Sequence, residues 1–206
     1  LDGALLTFLS EANSRTVDTL PYSVSRERDW APGRDNAIAR VRGDSGVVLT
    51  PDLRPDAVAG CAVEGGALAF SAQGRTWFVD REGHVTAMPS AATRAVRACA
   101  VGGPSVYAVG DAGLVVRLEG DVWVREVAAS TRDLSTVAVE ADGTAWAGGD
   151  GVLLRREVDG TWAAEPYGSL SPIRSLLASP GGGLLGFGDD GLVIGIQAGI
   201  ASPIAP

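Results

Sequence analysis

The chain has 206 residues, 46% of them apolar, with 28 glycines and a formal net charge of −8 in which all 17 basic residues are arginine. That length suits one domain, and a glycine share about twice the usual ~7% implies many tight turns and few long helices. No apolar run approaches the ~20 residues that would make a transmembrane segment, and an acidic chain repels phosphate backbones, so nucleic acid is not an expected partner.

No basic stretch followed by an apolar one marks a secretory leader in the chain as given. It begins at Leu1, inside what reads as the end of a strand, so a longer precursor is expected. In chain order, residues 2–9 read as a turn and one strand. Residues 20–51 read as a degenerate unit, with a turn at Asp35-Asn36, its third strand at 37–41 and its fourth at 47–50. From residue 57 the pattern sharpens. A short apolar segment recurs at Cys61, Cys99, Val137 and Leu176, spaced 38, 38 and 39 residues apart. A period of this length marks stacked or circular repeats.

Each unit then continues alike. A second strand follows at 67–71, 105–109, 144–147 and 184–187. In the last three units a Gly-Asp turn comes next, Gly110-Asp111-Ala112-Gly113, Gly148-Gly149-Asp150-Gly151 and Gly188-Asp189-Asp190-Gly191. Gly and Asp tolerate the positive φ that tight hairpins need. A third strand, a second turn and a fourth strand close the unit, with Trp123 and Trp162 at matching places. Four short strands per ~38 residues is the content of one propeller blade. The expected fold is all-β, a β-propeller of four-stranded antiparallel blades, with about five repeats at 20–51, 57–89, 96–128, 134–167 and 173–205. Residues 2–9 would close the ring on the last blade, or belong to a six- or seven-bladed ring of which this is a fragment. Helical repeats are excluded because no unit holds ten glycine-free residues of 3.6-residue periodicity.

The chemistry-bearing residues are few. His84, the one histidine, follows Glu82-Gly83 and is expected on a surface turn. One histidine and two cysteines cannot build a catalytic zinc shell. Cys61 and Cys99 fall at equivalent places on the strands nearest the axis, where a buried pair of free thiols is expected; a disulfide would need Cα atoms within about 7 Å. The G-x-G-x-x-G match at 181–186 lacks a following helix and reads as turn glycines. The acidic turns lack the spaced oxygen ligands of a calcium loop. No cofactor is expected. Trp77, Trp123, Trp146 and Trp162 fall inside strands and are expected to pack blade on blade.

Propeller glycosidases carry carboxylates at the mouth of the axial channel. Here the innermost strands hold none, and only Asp56 and Asp133 precede them. The same region offers Arg94 and Arg132 at one repeat offset and Arg97 and Arg174 at another. These six residues are the candidate binding set. The arginines either grip carboxylates of an acidic partner through bidentate hydrogen bonds or neutralise Asp56, Asp133 and the acidic turns.

The stretch 142–155, Asp-Gly-Thr-Ala-Trp-Ala-Gly-Gly-Asp-Gly-Val-Leu-Leu-Arg, followed by Asp159-Gly160-Thr161-Trp162, resembles the repeat of photosystem-assembly-factor-type propellers. It is equally similar to repeats of secreted or envelope propellers of bacteria with GC-rich genomes. Residues 106–113 give a second instance. The likeness implies a non-enzymatic propeller that binds a protein partner outside the cytoplasm, and it assigns no site residue. The sialidase Asp-box is only approached, and no Trp-Asp pair closes a blade as in WD repeats. Two functions follow as expectations: a scaffold whose rim loops hold a protein partner, or a carbohydrate-active propeller, lectin or glycoside hydrolase, that takes a glycan.

Overall fold

Short apolar stretches broken every six or seven residues by Gly, Asp or Asn cannot propagate a helix, but they can pair across tight turns. A computed structural model of the protein shows the result. It describes residues 57–204 except 81, 83, 91, 180 and 181, and, upstream of these, residues 30–32, 38–42 and 45–48. The upstream strands, β1 (Trp30–Pro32), β2 (Ile38–Arg42) and β3 (Ser45–Val48), form an antiparallel sheet in the order β1-β2-β3.

Four antiparallel four-stranded sheets follow, each built from consecutive strands. The second sheet comprises β4 (Ala57–Val63), β5 (Gly66–Ser71), β6 (Thr76–Asp80) and β7 (Val85–Met88). The third comprises β8 (Val96–Gly102), β9 (Ser105–Gly110), β10 (Leu114–Glu119) and β11 (Val122–Arg125). The fourth comprises β12 (Leu134–Val139), β13 (Ala145–Gly149), β14 (Val152–Arg156) and β15 (Trp162–Ala164). The fifth comprises β16 (Ile173–Ala178), β17 (Leu184–Gly188), β18 (Val193–Gln197) and β19 (Ile200–Pro203). The first strands neighbour one another in sequence order, β4 against β8, β8 against β12 and β12 against β16, so they are the inner strands of a propeller. The upstream sheet joins the array where β1 packs beside β4.

The proposed third strand at 37–41 corresponds to β2, and the fourth, placed at 47–50, begins earlier, at Ser45. Residues 2–9 lie outside the described residues. Among the described residues the fifth sheet has four strands, the last of them β19, paired with β18.

The Gly-Asp turns have a specific physical cause. At the end of β9, β13 and β17 the amide of Asp111, Asp150 or Asp189 donates to the carbonyl just before its sheet's inner strand: Ala95 (3.1 Å), Asp133 (2.9 Å) and Pro172 (3.0 Å). The preceding glycine lets that carbonyl approach, since a Cβ at Gly110 would lie 1.9 Å from the Ala95 oxygen and one at Gly149 2.0 Å from the Asp133 oxygen. Each inner strand also carries a register shift at its start, at Ala57/Ala59, Val96/Ala98, Leu134/Thr136 and Ile173/Ser175. Such a bulge bends the strand where it leaves the rim. Gly110→Ala is therefore expected to lower the unfolding free energy by about 1–3 kcal/mol through overpacking alone, read as a lower urea midpoint with an unchanged slope.

The core lies between sheets. Phe70 of β5 meets Trp123 of β11 edge-on, with ring centroids 5.3 Å apart, and Tyr107 of β9 meets Trp162 of β15 at 5.8 Å. Trp146 and Trp162 are fully buried, Trp123 is buried and Trp77 is half-buried, which agrees with their expected packing role.

Each described interface is fastened differently. Between the second and third sheets, Cys61 and Cys99 form a disulfide with a Cα–Cα separation of 5.7 Å. This corrects the expectation of two free thiols. The inner strands β4 and β8 crowd together near the axis, and equivalent residues approach within bridging range.

Between the third and fourth sheets the tie is ionic. Glu126, 6% exposed at its side chain, accepts from Arg117 Nε (3.0 Å), Arg156 Nη2 (2.7 Å) and Trp162 Nε1 (2.7 Å). The Arg156 guanidinium also lies 5.5 Å over the Tyr107 ring. Burial alone would raise the Glu126 carboxyl, but donation from Arg156, Trp162 and Arg117 outweighs it and holds the group below the usual carboxylate range. The backbone adds a parallel bridge between Ala128 and Trp162. Between the fourth and fifth sheets, Ser135 Oγ donates to the Ile173 carbonyl (2.6 Å) and Leu176 N donates to Thr136 Oγ1 (3.0 Å).

Candidate binding rim

The turns between the second and third strands of each sheet and the connections from one sheet to the next share one rim. The turn at Asp111–Gly113 rests on the connection to the fourth sheet, where Gly113 N donates to the Arg132 carbonyl at 2.8 Å. Ala112 and Gly113 are both left-handed, with φ of 52° and 69°. A Cβ at Gly113 would lie 1.9 Å from the Ser130 oxygen. Only glycine fits both demands.

Four of the predicted site residues take two repeated roles on this rim. Arg94 Nη1 donates to the Ala112 carbonyl (3.2 Å), and Arg132 Nη1, one repeat later, donates to the carbonyls of Asp150 (2.9 Å) and Gly151 (3.3 Å). Each clamps the turn of its own sheet. Arg97 pairs through Nε with Asp111, and Arg174 grips Asp189 with both Nε (2.9 Å) and Nη2 (2.5 Å). The Arg174 guanidinium holds the Asp189 carboxyl below its usual range.

Asp133 joins two sheets. Its Oδ2 accepts from Arg97 Nη2 at 2.9 Å and its Oδ1 from the Ala112 amide at 2.9 Å. Both oxygens of the one described carboxylate just before an inner strand are thus engaged with the third sheet, Oδ1 by its turn and Oδ2 by Arg97 of β8. Asp56 lies outside the described residues.

Arg97 and Arg174 therefore pair with carboxylates of this rim, whereas Arg94 and Arg132 hold backbone carbonyls of its turns, and the two ion-paired arginines are not used up. The Arg97 and Arg174 side chains remain 44% and 57% exposed. A guanidinium carries five N–H donors, so both keep donors for a partner. Ion pairs this exposed stabilise the fold little, about 0–1 kcal/mol each.

Leu170, on the connection into the fifth sheet, is 82% exposed, and its carbonyl lies against Gly151 beside the Arg132 guanidinium. Sequence reasoning passed over it because a lone leucine in a Ser-rich connection carries no periodic signal. Elsewhere, His84 stands on a surface turn as expected. Its Nδ1 lies 2.8 Å from Asp80 Oδ2, and the Asp80 carboxylate raises the imidazole pKa. Asp189 and Asp190 serve different partners, Arg174 and the Ser171 hydroxyl (3.1 Å). Gly182 and Gly183 lead into strand β17 rather than a helix.

No family model matches the chain, and no curated protein matches it in sequence. Solved structures do match in fold. A structure described as "YCF48 bound to D1 peptide" superposes with a TM-score of 0.63 at 13% identity, over 86% of this chain and 63% of that one. The WD40 β-propeller domain of Doa1 gives 0.70 at 14% identity, over 82% and 60%, and U3-55K gives 0.58 at 12%, over 68% and 48%. The chain thus spans less than two thirds of the length of these structures. At such identities the likeness concerns architecture alone, and together with the successive four-stranded sheets it makes this chain a β-propeller.

Proposed function

We propose that this propeller is a binding scaffold that presents the rim of Arg94, Arg97, Arg132, Asp133, Arg174 and Leu170 to a protein partner. The observation that carries the reading is a set of braced but exposed arginines on one rim, with the exposed Leu170 near Arg132. Pre-ordered guanidinium groups lose little entropy on meeting carboxylates, and an exposed apolar side chain on the same rim supplies an anchor. An acidic segment with an apolar residue is the chemistry that fits. The similarity to a propeller solved with a peptide bound supports this direction. The Cys61–Cys99 bridge supports an extracytoplasmic compartment, where disulfides persist.

The test is cross-linked capture from native extract, comparing the wild-type chain with Leu170→Asp and with Arg97→Ala/Arg174→Ala. Both variants are expected to keep the wild-type circular dichroism and to lose most of the captured protein, by about 10-fold or more for a central anchor. Capture that is unchanged in both would place the partner surface elsewhere.

A further inference from the structure

The interface between the third and fourth sheets has an instructive counterpart one repeat earlier. Cross-strand pairing sets Arg117 opposite Tyr107 and Phe78 opposite Leu68, and it sets Arg156 opposite Trp162 and Leu118 opposite Trp123. By the same alignment Glu126, which follows β11, corresponds to Met88 at the end of β7. The ion triad Arg117, Glu126 and Arg156 is therefore replaced, between the second and third sheets, by Phe78, Met88 and Leu118.

Those three do not fill the space. They line a cavity of about 600 Å³, within the ~300–1,000 Å³ range of sites that enclose a small organic molecule. Among the described residues, the ionisable ones lining it are Glu64 and Asp121, both exposed.

We infer that this inter-sheet cavity is a binding site for a lipophilic amine, whose apolar body lies among Phe78, Met88 and Leu118 and whose ammonium faces Glu64 and Asp121. An apolar lining whose charges, among the described residues, are both carboxylates selects cations over anions. This site is separate from the arginine rim and does not rest on the partner reading above.

The probes are n-decylammonium and n-decanoate, titrated calorimetrically into the oxidised full chain at matched ionic strength. Decylammonium is expected to bind saturably at one site per chain, at least ~10-fold more tightly than decanoate. Glu64→Gln/Asp121→Asn, two exposed changes that leave the core intact, should shrink that preference to under ~3-fold, the residue of a lost charge attraction. Leu118→Trp should abolish binding by filling the cavity. Absence of saturable binding, equal affinity for the two probes, or a preference unaltered by the carboxylate double variant would each overturn the assignment.

Discussion

Replacing Glu126 with alanine is expected to destabilise the protein by about 3 kcal/mol, because it strips Arg117 and Arg156 of their shared counter-charge within an otherwise closed interface. The Trp162 indole N–H loses its acceptor in the same step. For a chain of this size the melting temperature should fall by about 6–12 °C. Glu126→Gln keeps the shape and an oxygen for Trp162, so it should lose about half as much. The pH dependence has a definite sign. A carboxyl whose folded pKa lies below its unfolded value contributes stability above the unfolded value, near ~4.3. That contribution is lost as pH falls through the lower folded value. Wild-type protein should therefore lose stability on acidification below about pH 4 more steeply than Glu126→Gln, as read from urea midpoints across pH. Parallel curves for the two proteins would show that the triad does not couple to folding.

Removal of the Cys61–Cys99 bridge should cost about 4 kcal/mol, the loop-closure entropy expected for the 38 residues it spans. The double variant Cys61→Ala/Cys99→Ala isolates this effect, since alanine occupies the same small apolar places on β4 and β8. Its urea midpoint should drop while its near-ultraviolet aromatic signals persist. Thiol titration of the unreduced, denatured wild-type chain should find no free thiol, and reduction should release two. Two free thiols before reduction would remove both the pairing and the compartment inference.

These two features lay at the edge of what the sequence could tell. The repeat was legible because Gly-Asp turns and buried tryptophans recur in the chain itself, and the structure sets Cys61, Cys99, Val137 and Leu176 on successive inner strands. The rim arginines were legible by their repeat offset, and the pairing of Arg97 and Arg174 with Asp111, Asp133 and Asp189 follows the sign of the charges. The disulfide was missed because spacing along the chain reports equivalence between sheets, not how closely β4 and β8 converge. Glu126 was missed for a related reason. Carboxylates that act at an axial channel are expected beside the inner strands, whereas Glu126 lies past the outermost strand β11 and meets Arg156 only across an interface. A cue was nonetheless present in the arginines that end or nearly end the third strands, Arg117, Arg155 and Arg156.

The bridge between β4 and β8 ties the second and third sheets where their inner strands meet, while Phe78, Met88 and Leu118 border empty volume further out. The edge-on contact of Phe70 with Trp123 crosses the same interface from β5 to β11. A covalent tie and an aromatic one thus hold the two sheets together, so the cavity between them is a fixed volume of the packed fold and does not require the sheets to part.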